Sequence, residues 1–125
     1  MLPVTTVKLL IVDDDEDDIY LITEALQEVT RTRYAITTAS SSLQALIELS
    51  NNTFDVIFSD YRLGVVTGVD FIKSVRAAGI DTPIILLTGI SDHLVDNAAL
   101  QAGSSDFIPK TAITASPTYC MTVPP

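Results

Sequence analysis

The sequence predicts an α/β fold, a parallel sheet covered by helices on both faces, and two patterns carry that expectation. Continuous apolar runs recur at 8–12 (KLLIV), 55–59 (DVIFS) and 84–87 (IILL). Each is too short for a helix and lacks the alternation of a half-exposed strand, as strands buried on both faces do. Between these runs apolar residues return at spacings of three and four, the mark of amphipathic helices. Such β-α alternation builds a doubly wound parallel sheet.

Taken in order, the first strand is residues 8–12, ending in Asp13, Asp14 and Asp15. From Glu16 the period changes, and Ile19, Ile22, Leu26 and Val29 mark one face of the first helix. Asp15 is placed to cap it, and Glu16, Asp17 and Asp18 are first-turn acids favoured by the helix dipole. Residues 34–39 are β-rich and give the second strand. Ser41 or Ser42 then caps a second helix whose buried face is expected to carry Leu43, Leu46 and Ile47 before Asn51 and Asn52 end it.

The third strand, 55–59, delivers Asp60 to the start of a glycine-containing loop, within the stretch FDVIFSDYRLGVVTG at 54–68. Thr67 and Asp70 form a capping-box pair that opens a third helix through Phe71, Ile72 and Val75 to Gly79. Thr82-Pro83 announces the fourth strand, 84–87, ending in Thr88 and Gly89. Ser91 starts a fourth helix through Leu94, Val95, Ala98 and Ala99, closed by Gly103, and Phe107 and Ile108 make a brief fifth strand before Pro109 and Lys110.

Composition narrows the function. With 125 residues the chain is one domain by length, and 47% hydrophobic content makes it globular. Sixteen acids against seven bases give a net charge of -9, which argues against direct nucleic acid binding by this domain. The single cysteine, Cys120, allows no internal disulfide and favours a reducing, cytoplasmic setting. No secretory signal is visible, and the apolar runs fall far short of the roughly 20 residues needed to span a bilayer, so no membrane role is expected.

In a parallel sheet the ligand site lies beyond the carboxyl ends of the strands, at the switch point of strand order. Asp13 and Asp14, Asp60, Thr88 and Lys110 all fall at such ends. Three crowded carboxylates repel one another unless a cation neutralises them. An all-oxygen acidic pocket suits Mg²⁺, which commonly brings phosphate oxygens with it. A carboxylate nucleophile, a metal, a lysine and a hydroxyl together describe phosphoryl transfer to an aspartate.

From about Lys8 to Lys110 the chain resembles the receiver domains of two-component response regulators. The motifs that carry the resemblance are LLIVDDDEDD, DVIFSDYRLGVVTG, PIILLTG and AGSSDFIPK, in the expected order and spacing. The resemblance implies a flavodoxin-like strand order 2-1-3-4-5, with Asp60 as the phosphoacceptor. It also implies a Mg²⁺ site formed by Asp13, Asp14, Asp60 and the backbone carbonyl of Arg62. Thr88 looks like the switch hydroxyl, Phe107 like the aromatic that turns with it, and Lys110 like the motif lysine. The partner so implied is a sensor histidine kinase or a histidine phosphotransfer protein. The domain would then be a signalling phosphoacceptor, with self-catalysed phosphotransfer and dephosphorylation as its only chemistry.

The chain departs from the family pattern in places. Thr111 follows the lysine where proline is usual, and Gly64 stands in a loop position often filled by proline. After a short lead at 1–7 and a receiver domain at 8–110, the tail at 111–125, TAITASPTYCMTVPP, is rich in proline and β-branched residues. The usual fifth helix is therefore expected to be missing or replaced by an extended tail. A homodimer through the fourth helix, fifth strand and tail region fits the surfaces this family uses for association. No effector segment follows, as in a stand-alone regulator or a piece of a longer one. Two alternatives stand beside this reading. One is a non-phosphorylated receiver-like interaction module, which would be expected to lack some site residues. The other is a haloacid-dehalogenase-like phosphohydrolase with Asp13 as nucleophile, opposed by Asp17 where Thr or Val is expected and by the lack of acids after Lys110.

Overall fold

The computed structural model describes residues 5–28, 32–63, 66–88 and 106–109. Strand β1 (Thr5–Val12) leads into helix α1 (Glu16–Gln27), then β2 (Thr32–Ala39) into α2 (Ser42–Asn51), and β3 (Val56–Asp60) follows. Two short strands come next, β4 (Arg62–Leu63) and β5 (Val66–Thr67), before α3 (Gly68–Ala77), β6 (Ile84–Thr88) and β7 (Asp106–Pro109). The five-stranded sheet has the order β2-β1-β3-β6-β7 and every pairing in it is parallel. Its main strands thus follow the expected 2-1-3-4-5 order, because β4 and β5 form a separate antiparallel ribbon. The fourth helix and the 111–125 tail lie outside the described residues.

The central strands carry consecutive buried apolar residues because helices cover both faces of the sheet. One cluster joins Leu10, Val12, Ile57, Ile84 and Leu86 of the sheet to Ala45, Leu49, Phe71, Ile72 and Val75 of α2 and α3. On the opposite face Leu9, Ile11, Val56, Phe58, Ile85 and Leu87 pack with Ile22, Ala25 and Leu26 of α1. Successive strand residues point to opposite faces, so one run of four apolar residues serves both layers.

Three sequence expectations need correction. The buried face of α2 is not Leu43, Leu46 and Ile47: Leu43 is 69% and Ile47 53% exposed, whereas Ala45 and Leu49 are buried and Leu46 is half-buried. The helix lies close to the sheet through the small Ala45, and residues two positions away along a helix point to its far side. Strand β3 runs from Val56 to Asp60, one residue later than expected, so Asp60 is its last strand residue and not the first of the loop. Asp55 instead guards the entry, its carboxylate accepting the Lys8 backbone N–H at 2.8 Å. Finally, β2 starts at Thr32, and β1 at Thr5, because the two pair along eight residues.

Helix ends follow local rules. Asp15 caps α1 by accepting the N–H groups of Asp17 (2.9 Å) and Asp18 (3.4 Å), and Ser41 caps α2 by accepting that of Gln44 at 3.1 Å. Gly79, beyond the end of α3, has φ +80, a conformation costly for a residue with a Cβ. Phe71 is 1% exposed in the layer beneath α3. Phe71→Ala should therefore lower unfolding free energy by about 3–5 kcal/mol, while Leu43→Ala should stay within about 0.5 kcal/mol. Urea denaturation of both variants checks this.

Candidate functional site

The site is built from the register of β1 against β3. Val12 pairs with Ser59, so the next residues, Asp13 and Asp60, emerge side by side at the carboxyl ends. The Asp13 backbone N–H donates to the Ala39 carbonyl at 3.0 Å, which ties this point to the end of β2 as well. Asp13 is 0% and Asp60 8% exposed, while Asp14 reaches solvent. Carboxylate oxygens from Asp13, Asp14 and Asp60 all lie within 4.8 Å of one another. An open depression of about 460 Å³, lined by Asp14, Asp15, Glu16 and Asp17, adjoins the cluster.

The loop from Asp13 into α1 is ordered by its own acids. Asp13 Oδ1 accepts the Asp15 N–H at 2.9 Å, and Asp15 then caps the helix. Asp13 is thereby held by its neighbours as well as by burial. The extra acids at 16–18 serve the first turn of α1.

The other wall begins where β3 ends. Tyr61 N–H donates to the Leu87 carbonyl at 2.9 Å, which carries the β3–β6 ladder one residue past Asp60. Arg62 and Leu63 then pair with Thr67 and Val66. Gly68 N–H donates to the Tyr61 carbonyl, closing the ribbon at its base. Thr67 Oγ1 accepts the Asp70 N–H at 3.1 Å and Asp70 Oδ2 accepts the Thr67 N–H at 3.3 Å, the reciprocal capping box expected for α3. Arg62 is exposed on β4.

Thr88 is the last residue of β6, one position beyond the Asp60–Leu87 pair, and Phe107 lies in β7 opposite Leu86. Lys110 lies outside the described residues. The structure therefore brings Asp13, Asp14 and Asp60 together and sets the Thr88 backbone beside them along the strand ends. Two neighbours of Asp60 were not singled out from the sequence. Ser59 is fully buried and donates its hydroxyl to the Asp60 main-chain carbonyl at 3.1 Å, and Gly68 packs against the same carbonyl. A serine within a buried apolar strand, and a glycine directly after a capping threonine, were the available signals.

Three carboxylates and nothing softer form a donor set of hard oxygens, and such a set fits a divalent cation of the Mg²⁺ type. The group as placed could hold a metal ion. In a doubly wound parallel sheet, the carboxyl ends of the strands at the switch point are where ligands bind, and the acidic cluster stands there.

The model of the response regulator receiver domain matches residues 9–116. The chain is 30% identical over 105 residues to the response regulator MprA of Mycobacterium sp. (strain KMS), covering 83% of this chain and 44% of that protein. It is 31% identical over 112 residues to the transcriptional regulatory protein PrrA of Mycobacterium tuberculosis (strain ATCC 25618 / H37Rv), covering 90% and 47%. The chemotaxis response regulator CheY4 of Vibrio cholerae superposes with a TM-score of 0.73 at 30% identity, over 85% of this chain and 88% of that one. The chain belongs to the response regulator receiver domain family of two-component systems. It spans less than half the length of the two curated relatives. This membership sets aside the phosphohydrolase alternative. Among the described residues no helix is long and apolar enough to cross a membrane.

The capping box should contribute measurably to the wall that flanks Asp60. Thr67→Ala removes the acceptor for the Asp70 N–H and is expected to cost about 1 kcal/mol of stability, read as a lower urea midpoint with an unchanged m-value.

Proposed function

We propose that Asp60 accepts a phosphoryl group from the phosphohistidine of a sensor kinase or histidine phosphotransfer protein, in a Mg²⁺-dependent reaction that switches a signalling surface. The single observation that supports this reading most is the convergence of Asp13, Asp14 and Asp60 within 4.8 Å, in a chain that matches the receiver family over 9–116. A cation there would be held by the three carboxylates and the Arg62 carbonyl. Such a cation neutralises the carboxylates and the charge on the phosphoryl oxygens.

In the transfer, a carboxylate oxygen of Asp60 attacks phosphorus, the phosphorus–nitrogen bond breaks, and the donor imidazole leaves with the bonding pair and takes up a proton. The product is an acyl phosphate. Its hydrolysis, with water as nucleophile and release of inorganic phosphate, restores the carboxylate. Strand pairing favours Asp60 for this role, because a nucleophile whose backbone is fixed opposite Leu87 loses little entropy on reaction. Lys110 contributes a cationic contact to the phosphoryl oxygens, Thr88 a hydroxyl donor, and Phe107 the aromatic that turns with it; these roles rest on the family motif. The domain is read as 8–110 with a distinct tail at 111–125, acting in the cytoplasm.

The population logic is ordinary two-state linkage: a phosphoryl group shifts the equilibrium only by interacting differently with the two surfaces, and a partner reads the shift. The effector and any homodimer through the fourth helix, fifth strand and tail belong to the same reading.

Incubation with Mg²⁺ and acetyl phosphate should add one phosphoryl group by intact mass, labile to hydroxylamine and absent in Asp60→Asn. Mg²⁺ alone should raise the melting temperature of wild type, by an amount corresponding to about 2.7 kcal/mol at 100-fold excess over Kd. Asp13→Asn should lose most of that rise. Labelling that persists in Asp60→Asn, or proceeds equally in EDTA, would reject the assignment.

A further inference from the structure

Glycine at position 68 has a reason unrelated to backbone dihedrals. A Cβ built there would sit 2.6 Å from the Asp60 main-chain carbonyl oxygen, 2.6 Å from Leu86 Cδ1 and 3.1 Å from Tyr61 Cα. The leucine methyl is the end of a flexible side chain and can yield. The carbonyl cannot, because the peptide it belongs to is fixed by the Tyr61 N–H bond to Leu87 and by the Gly68 N–H bond to the Tyr61 carbonyl. On its other side the same oxygen receives the hydroxyl of Ser59, which is fully buried. The first residue of α3 thus rests directly on the peptide that follows the proposed nucleophile, with no side chain between them.

The geometry points to Gly68 and Ser59 as positioning residues for Asp60, the glycine by letting the α3 N-terminus close onto the Asp60 carbonyl and the serine by fixing that carbonyl's direction. This inference rests on the reading of Asp60 as phosphoacceptor. Gly68 also follows Thr67, whose pairing with Arg62 and capping of α3 make the ribbon and the helix one unit. A methyl group at 68 would push that unit away from β3. The shift would reach both the Asp60 carboxylate and the Arg62 carbonyl, two of the groups that would hold the proposed metal.

The test is the rate of Mg²⁺-dependent labelling by acetyl phosphate, followed by intact mass. Wild type, Gly68→Ala, Leu86→Val and the double variant are compared, with Mg²⁺ affinity by calorimetry and melting temperature measured on the same samples. Gly68→Ala is expected to label about 10- to 100-fold more slowly at saturating Mg²⁺ and donor, as for an ångström-scale misplacement of a reacting group. Leu86→Val alone should label at close to the wild-type rate. Added to Gly68→Ala it removes the methyl collision but leaves the carbonyl collision, so the slow rate should persist.

Full recovery in the double variant, or unchanged labelling in Gly68→Ala, would overturn the inference and leave the glycine a packing residue only. A wild type that takes no label at all would be a failure of the phosphoacceptor reading; the Mg²⁺ affinities then decide, and equal values in wild type and Gly68→Ala overturn the positioning role too. Should Gly68→Ala not fold, Ser59→Ala carries the test. A several-fold slower rate is expected there, and an unchanged rate counts against the proposal.

Discussion

Strand β3 lies between β1 and β6, and the register of those two pairings is what the rest of the molecule depends on. Val12 opposite Ser59 and Asp60 opposite Leu87 fix where three negatively charged groups come out of the sheet. Left in water, these carboxylates would separate. The sheet denies them that freedom, because a slip of one residue would turn every side chain of β3 to the opposite face and drive Ser59 and Asp60 into the wrong layers. Hydrophobic burial on both faces of β1, β3 and β6 therefore sustains an arrangement that electrostatics alone opposes. A divalent cation held among these groups would lower their mutual repulsion.

The walls of the pocket differ in construction. On the β1 side the chain turns at once into α1, and Asp13 and Asp15 accept backbone N–H groups of the same turn. Across the pocket, the chain leaves β3, makes a small ribbon and returns to α3 through a capping threonine and a bare glycine. The first wall is held by local hydrogen bonds among neighbours in sequence. The second depends on contacts between Asp60, Gly68 and Leu86, residues of three separate elements.

Much of this was legible in the sequence, for physical reasons that vary along the chain. The buried strands announced themselves because two-sided burial demands consecutive apolar residues, and the strand-end acids followed at once. Asp13, Asp14 and Asp60 could be gathered into one site from sequence, since parallel strands send their ends to the same side. The capping box of Thr67 and Asp70 is a local motif and was readable for the same reason that it forms. The face of α2 was misread because a count of large apolar side chains overlooks Ala45, whose small size is what lets the helix approach. The β4–β5 ribbon was missed because two-residue strands have no periodicity, and Gly68 was passed over because its role is space shared with residues distant in sequence. Thr88 could be placed at its strand end; Lys110 and the tail fall outside the described residues.

Strand β2 forms one border of the sheet, and its sequence TRYAITTA contains no proline and a single charge, Arg33. On the helix next to it in the chain, Leu43 and Ile47 stand largely in solvent. A border strand of that composition has few of the usual guards against pairing with a second sheet. The net charge of this chain, -9 over 125 residues, opposes such pairing by mutual repulsion. Colloidal stability thus belongs partly to the surrounding electrolyte: dilute salt preserves the mutual repulsion, while concentrated salt shortens its reach to a few ångströms and brings the apolar border into play.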